Sequence, residues 1–138
     1  MVELLTSLRS YGFSTPIVKN ENGSTTITLM LTHIALEIEI EWRDFDIFML
    51  VVKLENGNIP SGYYVSNGRP CRYHLQKVIT DRKWAVDQNA WAIISPEKKA
   101  RKQYDRQSAD AIFDRFCAYK NILGSCINDL VAEENLIF

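Results

Sequence analysis

The sequence predicts an α+β fold: a short N-terminal helix, an antiparallel β-meander of four to five strands, and C-terminal helices packed on the sheet. Apolar and polar side chains alternate over residues 26 to 31 and again over residues 34 to 42, as they do along half-buried strands. Beyond residue 109, apolar residues recur every three or four positions, the spacing of a helix packed on a core. The dipeptide best suited to tight hairpin turns occurs three times, as Asn22-Gly23, Asn56-Gly57 and Asn67-Gly68.

The N-terminal helix is predicted over residues 2 to 10. Leu4, Leu5 and Leu8 lie at helical spacing, and Gly12 follows where a left-handed cap ends a helix. After Pro16 the sequence becomes rich in β-forming residues. We therefore expect the meander to begin there.

Two strands show the alternation most clearly. In the first, one face carries Ile27, Leu29 and Leu31. In the second, residues 34 to 42, one face carries Leu36, Ile38, Ile40 and Trp42, and the other carries Glu37, Glu39 and Glu41. Residues 47 to 54 are almost uninterruptedly apolar, which predicts a central strand covered on both faces.

The following segment, residues 62 to 65, is predicted to be an edge strand or an ordered loop because of Pro60 and the nearby glycines. After Pro70 the alternation ends and helix signals take over. One helix is indicated by Leu75, Val78 and Ile79, and residues 84 to 94 form another segment with two tryptophans to bury.

The last helical region is predicted to start at Ser95-Pro96-Glu97, with serine as N-cap and proline at the first helical position. Its apolar stripe comprises Ala109, Ile112, Phe113, Phe116, Leu123, Ile127, Leu130 and Val131. Gly124 is a point at which this region could divide into two helices. No repeat or composition break marks a linker, so residues 1–138 are predicted to form a single domain.

Composition excludes several classes of protein. A hydrophobic share of 46% and a charged share of 24% are those of an ordinary globular chain. A net charge of -1 provides no overall attraction to nucleic acid, and no apolar run approaches a membrane span. Without a recognisable signal peptide, the expected location is cytoplasmic.

The three cysteines, Cys71, Cys117 and Cys126, are expected to be buried or partly buried thiols.

No catalytic constellation is legible in the sequence, so we expect no enzyme activity, no cofactor and no metal. His33 and His74 share no local motif. Cys71 and His74 have a spacing that suits two zinc ligands, but a structural zinc site needs four and no second pair matches. An enzyme acting through Cys71, His74 or an unrecognised pair of carboxylates remains an alternative, and it requires a concave pocket.

The strongest candidate site is acidic. It comprises Glu37, Glu39, Glu41, Asp44 and Asp46. The three glutamates are spaced about 7 Å apart along one strand face, where their mutual repulsion lowers stability unless nearby cations compensate the charge. One interpretation is a solvent-facing strand paired with lysine or arginine from a neighbouring strand. The other is a surface that steers and binds a basic partner.

A basic cluster is the second charged feature. It comprises Lys98, Lys99, Arg101, Lys102 and Arg106. Such a helix can contact nucleic acid, but in a net acidic chain we interpret it as a solvated helix face. We therefore expect neither direct nucleic-acid binding nor membrane binding.

The order of elements resembles that of small bacterial immunity proteins that neutralise polymorphic toxins, including those of contact-dependent growth inhibition. The resemblance rests on the helix end Tyr11-Gly12-Phe13, the strand at residues 36–42, and the entry to the helices at Arg72-Tyr73-His74-Leu75. It implies a cytoplasmic protein that binds a cognate toxin, often a nuclease, and blocks its active site or substrate path. The alternative is a secretion chaperone or phage accessory protein that holds a client on an exposed apolar groove.

Overall fold

The computed structural model describes residues 1–95 and 109–138 of the chain, and within them the α+β prediction is confirmed. The helices are α1 (Val2–Ser10), α2 (Leu75–Arg82), α3 (Gln88–Ile94) and α4 (Ala109–Ala132). The strands are β1 (Ile17–Glu21), β2 (Ser24–Met30), β3 (Ile34–Glu41), β4 (Asp46–Lys53), β5 (Val65–Ser66), β6 (Arg69–Pro70) and β7 (Arg72–His74).

Five strands form one antiparallel sheet in the order β1-β2-β3-β4-β7. The first four make the predicted meander. β4 is buried along most of its length, as expected, but β3 is the central strand of the sheet. β7 was not predicted, because three residues are too few to show alternation. The remaining strands, β5 and β6, form a separate two-stranded hairpin.

All three Asn-Gly pairs form turns. Both residues of each pair have positive φ, for example 48° at Asn22 and 82° at Gly23 between β1 and β2. Two successive positive φ values are those of a type I′ turn, whose twist matches the flanking strands. The turn at Asn22-Gly23 therefore sets the register of the first hairpin, which pairs Glu21 with Ser24.

The helices pack against one face of the sheet, here called the inner face. Leu36, Ile38 and Ile40 of β3 lie in one buried cluster with residues of α1, α2 and α4. α4 contributes Ile122 and Leu130, both with no exposed surface. The sheet and the helices thus enclose one main core.

α4 confirms most of the predicted apolar stripe, with two corrections. The helix is continuous through Gly124, which is exposed; apart from its chain neighbours and the backbone of its own helix, no described atom lies within 4 Å of where a Cβ would lie. Phe113 is 65% exposed and does not belong to the core face. The predicted helix start at Ser95-Pro96-Glu97 and the basic cluster at residues 98–106 lie largely outside the described residues.

Trp42 is a further correction, because the alternation of β3 places it on the inner face. It lies just beyond the end of β3 and is 51% exposed. Its indole Nε1 donates to Thr25 Oγ1 at 2.8 Å. Val18, on the same face, is 56% exposed. This corner of the sheet therefore extends past the cover that the helices provide.

The C-terminal residues close over the helices and β7. Glu133 accepts hydrogen bonds from Arg82 at 2.6 Å and from the Trp84 indole at 2.8 Å. The ring of Phe138 stacks on that of Tyr73 at 4.7 Å between centroids. In the described residues, no helix combines the length and apolar character needed to cross a bilayer.

Candidate functional site

The face of the sheet turned away from the helices, here called the outer face, carries the predicted acidic residues. Cross-strand partners lie on the same face, so the register defines rows across it. The first row is Glu21, Ser24, Glu41 and Asp46; the second is Lys19, Thr26, Glu39 and Phe48; the third is Ile17, Thr28, Glu37, Leu50 and His74. The three glutamates of β3 therefore share the outer face, as predicted, in three successive rows.

Glu37 lies buried in the third row, with only 4% of its surface exposed. Its two carboxylate oxygens accept hydrogen bonds from Nε and Nη2 of Arg72 in β7, at 3.1 and 3.2 Å. Arg72 is 8% exposed. A two-point contact between guanidinium and carboxylate is strong and directional. Glu37 therefore presents no free carboxylate to a partner, and the predicted set of contact residues is corrected at this position.

Arg72 also holds the loop before β5 against the outer face. Its Nη1 donates to the main-chain oxygens of Gly62 at 3.0 Å and Tyr63 at 2.8 Å. The guanidinium carbon lies 4.5 Å from the centroid of the Tyr63 ring, a cation–π contact. The Cys71 thiol donates to the same Tyr63 oxygen at 2.9 Å. The segment predicted as an edge strand or ordered loop is therefore an ordered loop leading into β5.

Glu39 is partly buried and accepts hydrogen bonds from the Tyr63 hydroxyl, which lies 2.7 and 2.8 Å from its two oxygens. Burial raises the pKa of Glu39, the Tyr63 hydroxyl opposes that rise, and repulsion from Glu37 and Glu41 adds to it. Burial and the Glu39 carboxylate raise the pKa of Tyr63 above its usual range, so the phenol stays neutral. Glu39 has no ion pair with a described cation.

The other three predicted residues lie at one end of the sheet. Asp46 forms an ion pair with Arg115 of α4 and also accepts from the main-chain nitrogen of Ile47 at 2.9 Å. Glu41 is partly exposed and Asp44 is exposed. Neither carboxylate forms a hydrogen bond or ion pair within residues 1–95 and 109–138. Of the predicted carboxylates, Glu41 and Asp44 are thus the two that have no cation or hydrogen-bond donor among the described residues.

An open groove of about 470 Å³ crosses the outer face. Side chains of β2 and β3 form its floor, namely Thr26, Thr28, Glu37 and Glu39. One side is formed by Ile17, Lys19 and Glu21 of β1, and the other by Ile59, Tyr63 and Arg72. Glu37 is thus paired with an arginine of the same fold, but the pair is buried and the arginine comes from β7, two strands away, not from a neighbouring strand on a solvent-facing surface. Glu39 lines the open groove.

Sequence reasoning did not assign three residues to this site: Glu21, Tyr63 and Arg72. Glu21 could have been found, because the residue before an Asn-Gly turn pairs with the residue after it, and that residue, Ser24, lies in the row of Glu41. Tyr63 and Arg72 follow from no local pattern. Arg72 is 35 positions from Glu37, and only the sheet order brings them together.

Cys71 and His74 contact different partners. Three residues of extended chain separate them by about 10 Å, and the Cys71 thiol is hydrogen-bonded to the Tyr63 oxygen. Burial raises the pKa of the Cys71 thiol, the reverse of what a nucleophilic cysteine needs. His74 Nε2 lies 3.2 Å from the Tyr64 hydroxyl, and burial lowers the pKa of this imidazole. Within the described chain, no three His, Cys, Asp or Glu side chains are grouped to hold a metal ion.

The fold and the site define an α+β protein with a helix-covered inner face and a charged, grooved outer face. All three cysteines are free thiols, buried or partly buried as predicted.

Comparisons with protein-family models, with curated proteins and with solved structures found no match to this chain.

Proposed function

We propose that this chain is an immunity protein that binds a cognate bacterial toxin domain, a nuclease, and covers its active site or the path of its substrate. The observation that carries the proposal is the acidic end of the outer face. Glu21, Glu41 and Asp46 occupy one row across the sheet, and Asp44 lies in the adjoining turn between β3 and β4.

A nuclease suits this surface because it must be electropositive where it holds the phosphate backbone. Carboxylates of an inhibitor can bind the electropositive surface that otherwise holds the phosphates, and complementary charge accelerates association with the correct partner. Glu41 and Asp44 have no described cation of their own. Glu21 is paired with Lys19 at 3.2 Å, but both side chains are more than half exposed, and such surface pairs contribute little to stability. The carboxylates of Glu21, Glu41 and Asp44 can therefore bind a partner with little loss of stability in the free chain.

The ordered backbone that carries these side chains also supports the proposal. Glu21 and Glu41 project from paired strands, and Asp46 is held by Arg115 and by a main-chain hydrogen bond. A surface already ordered before binding loses less conformational entropy when the complex forms. The arrangement favours tight, specific binding.

The test uses two baits in extracts of the source organism: the wild-type chain and a Glu41→Lys/Asp44→Lys variant. The matched control is Asp114→Lys/Asp129→Lys, which makes the same change of charge at exposed positions on α4. Glu37 is not reversed, because a lysine there would face Arg72 in a buried site and unfold the chain. Each captured protein is then purified and assayed for nuclease activity with and without the wild-type chain.

We expect the wild type and the α4 control to retain a basic nuclease whose cleavage stops when the chain is added in equal amount. The outer-face variant should bind it with slower association, most clearly at low salt. If no captured protein is an enzyme that the chain inhibits, the immunity proposal fails.

A secretion chaperone or phage accessory protein is the second candidate. The apolar residues exposed on β1 favour it: Ile17 is 54% and Val18 56% exposed, and an edge strand can add a client segment. A non-basic client retained equally by all three baits, and released by Ile17→Lys/Val18→Lys, would support this candidate.

A further inference from the structure

The side chains that line the outer groove carry a net charge of one negative unit. Its lining includes three carboxylates and two cations. Arg72 is matched to Glu37 by two hydrogen bonds inside the fold. Lys19 is matched to Glu21 at 3.2 Å on the surface. Glu39 is the carboxylate left over, and its described hydrogen-bond partner is the neutral Tyr63 hydroxyl.

Access to Glu39 is open from the side of β1. Glu39 lies two strands in from that edge, about 10 Å at the usual strand spacing. On β2 the intervening side chains are small and polar, because Thr26 is the neighbour of Glu39 and Thr28 lies in the adjoining row. On β1 the same row begins with Lys19, whose ammonium is paired with Glu21 and whose side chain is 67% exposed, so it lies on the surface and does not fill the groove. Every residue of β1 is exposed, and no strand pairs with its outer edge in the described sheet. A long, unbranched side chain can therefore cross β1 and reach the Glu39 carboxylate.

The geometry of Glu39 favours arginine over lysine. Both of its oxygens are directed at one donor, since the Tyr63 hydroxyl lies within 2.8 Å of each. A guanidinium offers two parallel N–H donors that match such a carboxylate, whereas an ammonium is a point charge. The hydroxyl supplies one proton where two acceptors are available. A guanidinium placed there satisfies both.

We infer that the groove binds one arginine side chain of the toxin, whose guanidinium takes the position at the Glu39 carboxylate that the Tyr63 hydroxyl occupies in the free chain. This inference rests on the proposed function, because it names the chemistry by which the partner is recognised. Charge complementarity selects the occupant: an acidic side chain is repelled by Glu39 and Glu21, and an apolar one desolvates the Glu39 carboxylate without supplying a cation.

The experiment measures binding of a small probe to the whole chain by NMR. Nα-acetyl-arginine amide is titrated into the ¹⁵N-labelled protein near neutral pH, and Nα-acetyl-citrulline amide, the neutral analogue of nearly the same shape, is titrated in parallel. Saturable shifts are expected for the amides of Thr26, Thr28, Glu39 and Tyr63 with the arginine probe alone. Glu39→Gln should bind it roughly tenfold more weakly, as expected when a charge-assisted pair becomes neutral.

The control is Glu3→Gln, which makes the same change at a side chain 88% exposed on α1; its affinity for the probe should equal that of the wild type. The inference is overturned if the arginine probe gives no saturable shifts up to its solubility limit. Equal shifts with citrulline, or an unchanged affinity in Glu39→Gln, overturn it as well. The titration needs no toxin, so its result is independent of the capture experiment. The arginine inference can fail although a nuclease is captured and inhibited, and the immunity proposal can fail although the arginine probe binds.

Discussion

The guanidinium of Arg72 and the carboxylate of Glu37 form a two-point ion pair beneath the outer groove, with both side chains at least 93% buried. Such a pair is costly to break, because removal of one partner leaves an uncompensated charge away from water. The same guanidinium anchors the loop through Gly62 and Tyr63. The pair thus joins β3 and β7 to the wall of the candidate site.

Arg72→Ala should lower the free energy of unfolding by about 3–5 kcal/mol, because it strands the Glu37 carboxylate. Urea unfolding followed by tryptophan fluorescence measures the loss. The double variant Glu37→Leu/Arg72→Met, which removes both charges and keeps the volume apolar, should recover a large part of it. If the single and double variants are equally unstable, the buried charge is not the cause.

Leu130→Ala should cost about 2–5 kcal/mol, since Leu130 is fully buried in the main core cluster and the substitution leaves a cavity. The matched control lies on the same helix: Phe113→Ala should change stability by no more than about 0.5 kcal/mol, because Phe113 is exposed. Thermal and urea unfolding of both variants provide the comparison. A large loss at Phe113 would mean that this ring is covered in solution.

Two glycines should respond in opposite directions to alanine. Gly124→Ala is expected to stabilise the protein by about 0.5–1 kcal/mol, because Gly124 is an exposed position inside α4 with open space around it. Gly62→Ala should destabilise it by about 1–3 kcal/mol, since the new Cβ would lie 1.8 Å from the Val65 oxygen. Both are measured by urea unfolding, and a neutral Gly62→Ala would show that the loop shifts freely.

Glu39→Gln should stabilise the protein at neutral pH. Burial, the largest cause, raises the pKa of Glu39 in the folded state above the ordinary value of 4.5. Its contribution to stability is therefore fully present below that value and is lost as pH rises through the raised pKa. The amide carries no charge to desolvate and can still accept from Tyr63. Unfolding measured from acid to neutral pH should show the advantage of the variant growing with pH; a pH-independent difference contradicts the assignment.

Glu133→Gln should have the opposite sign. Hydrogen bonds from Arg82, the larger cause, and from Trp84 hold the pKa of Glu133 below 4.5. The stability it provides is present above that value and is lost as pH falls through the lowered pKa. The variant should therefore be less stable than wild type at neutral pH, and the two should converge in acid. Parallel urea titrations across this range give the result, and a gap that widens in acid would contradict it.

The elements of the fold could be predicted where the signal was local. The alternation of β3 assigned Leu36 and Ile38 to the core face, and the Asn-Gly pairs located three turns. Errors arose at the ends of elements. Trp42 continues the alternation but lies past the cover of the helices, and Phe113, which was predicted to belong to the apolar stripe of α4, is exposed to solvent.

The sequence by itself determined which residues share a face, because strand and helix periods and turn chemistry depend on neighbours a few positions away. It placed Glu37, Glu39 and Glu41 together on the side of the sheet away from the core. Only the tertiary structure decided what each carboxylate meets. The cation for Glu37 comes from 35 positions along the chain and that for Asp46 from 69. Pairing over such distances depends on sheet order and helix packing, which no local pattern encodes.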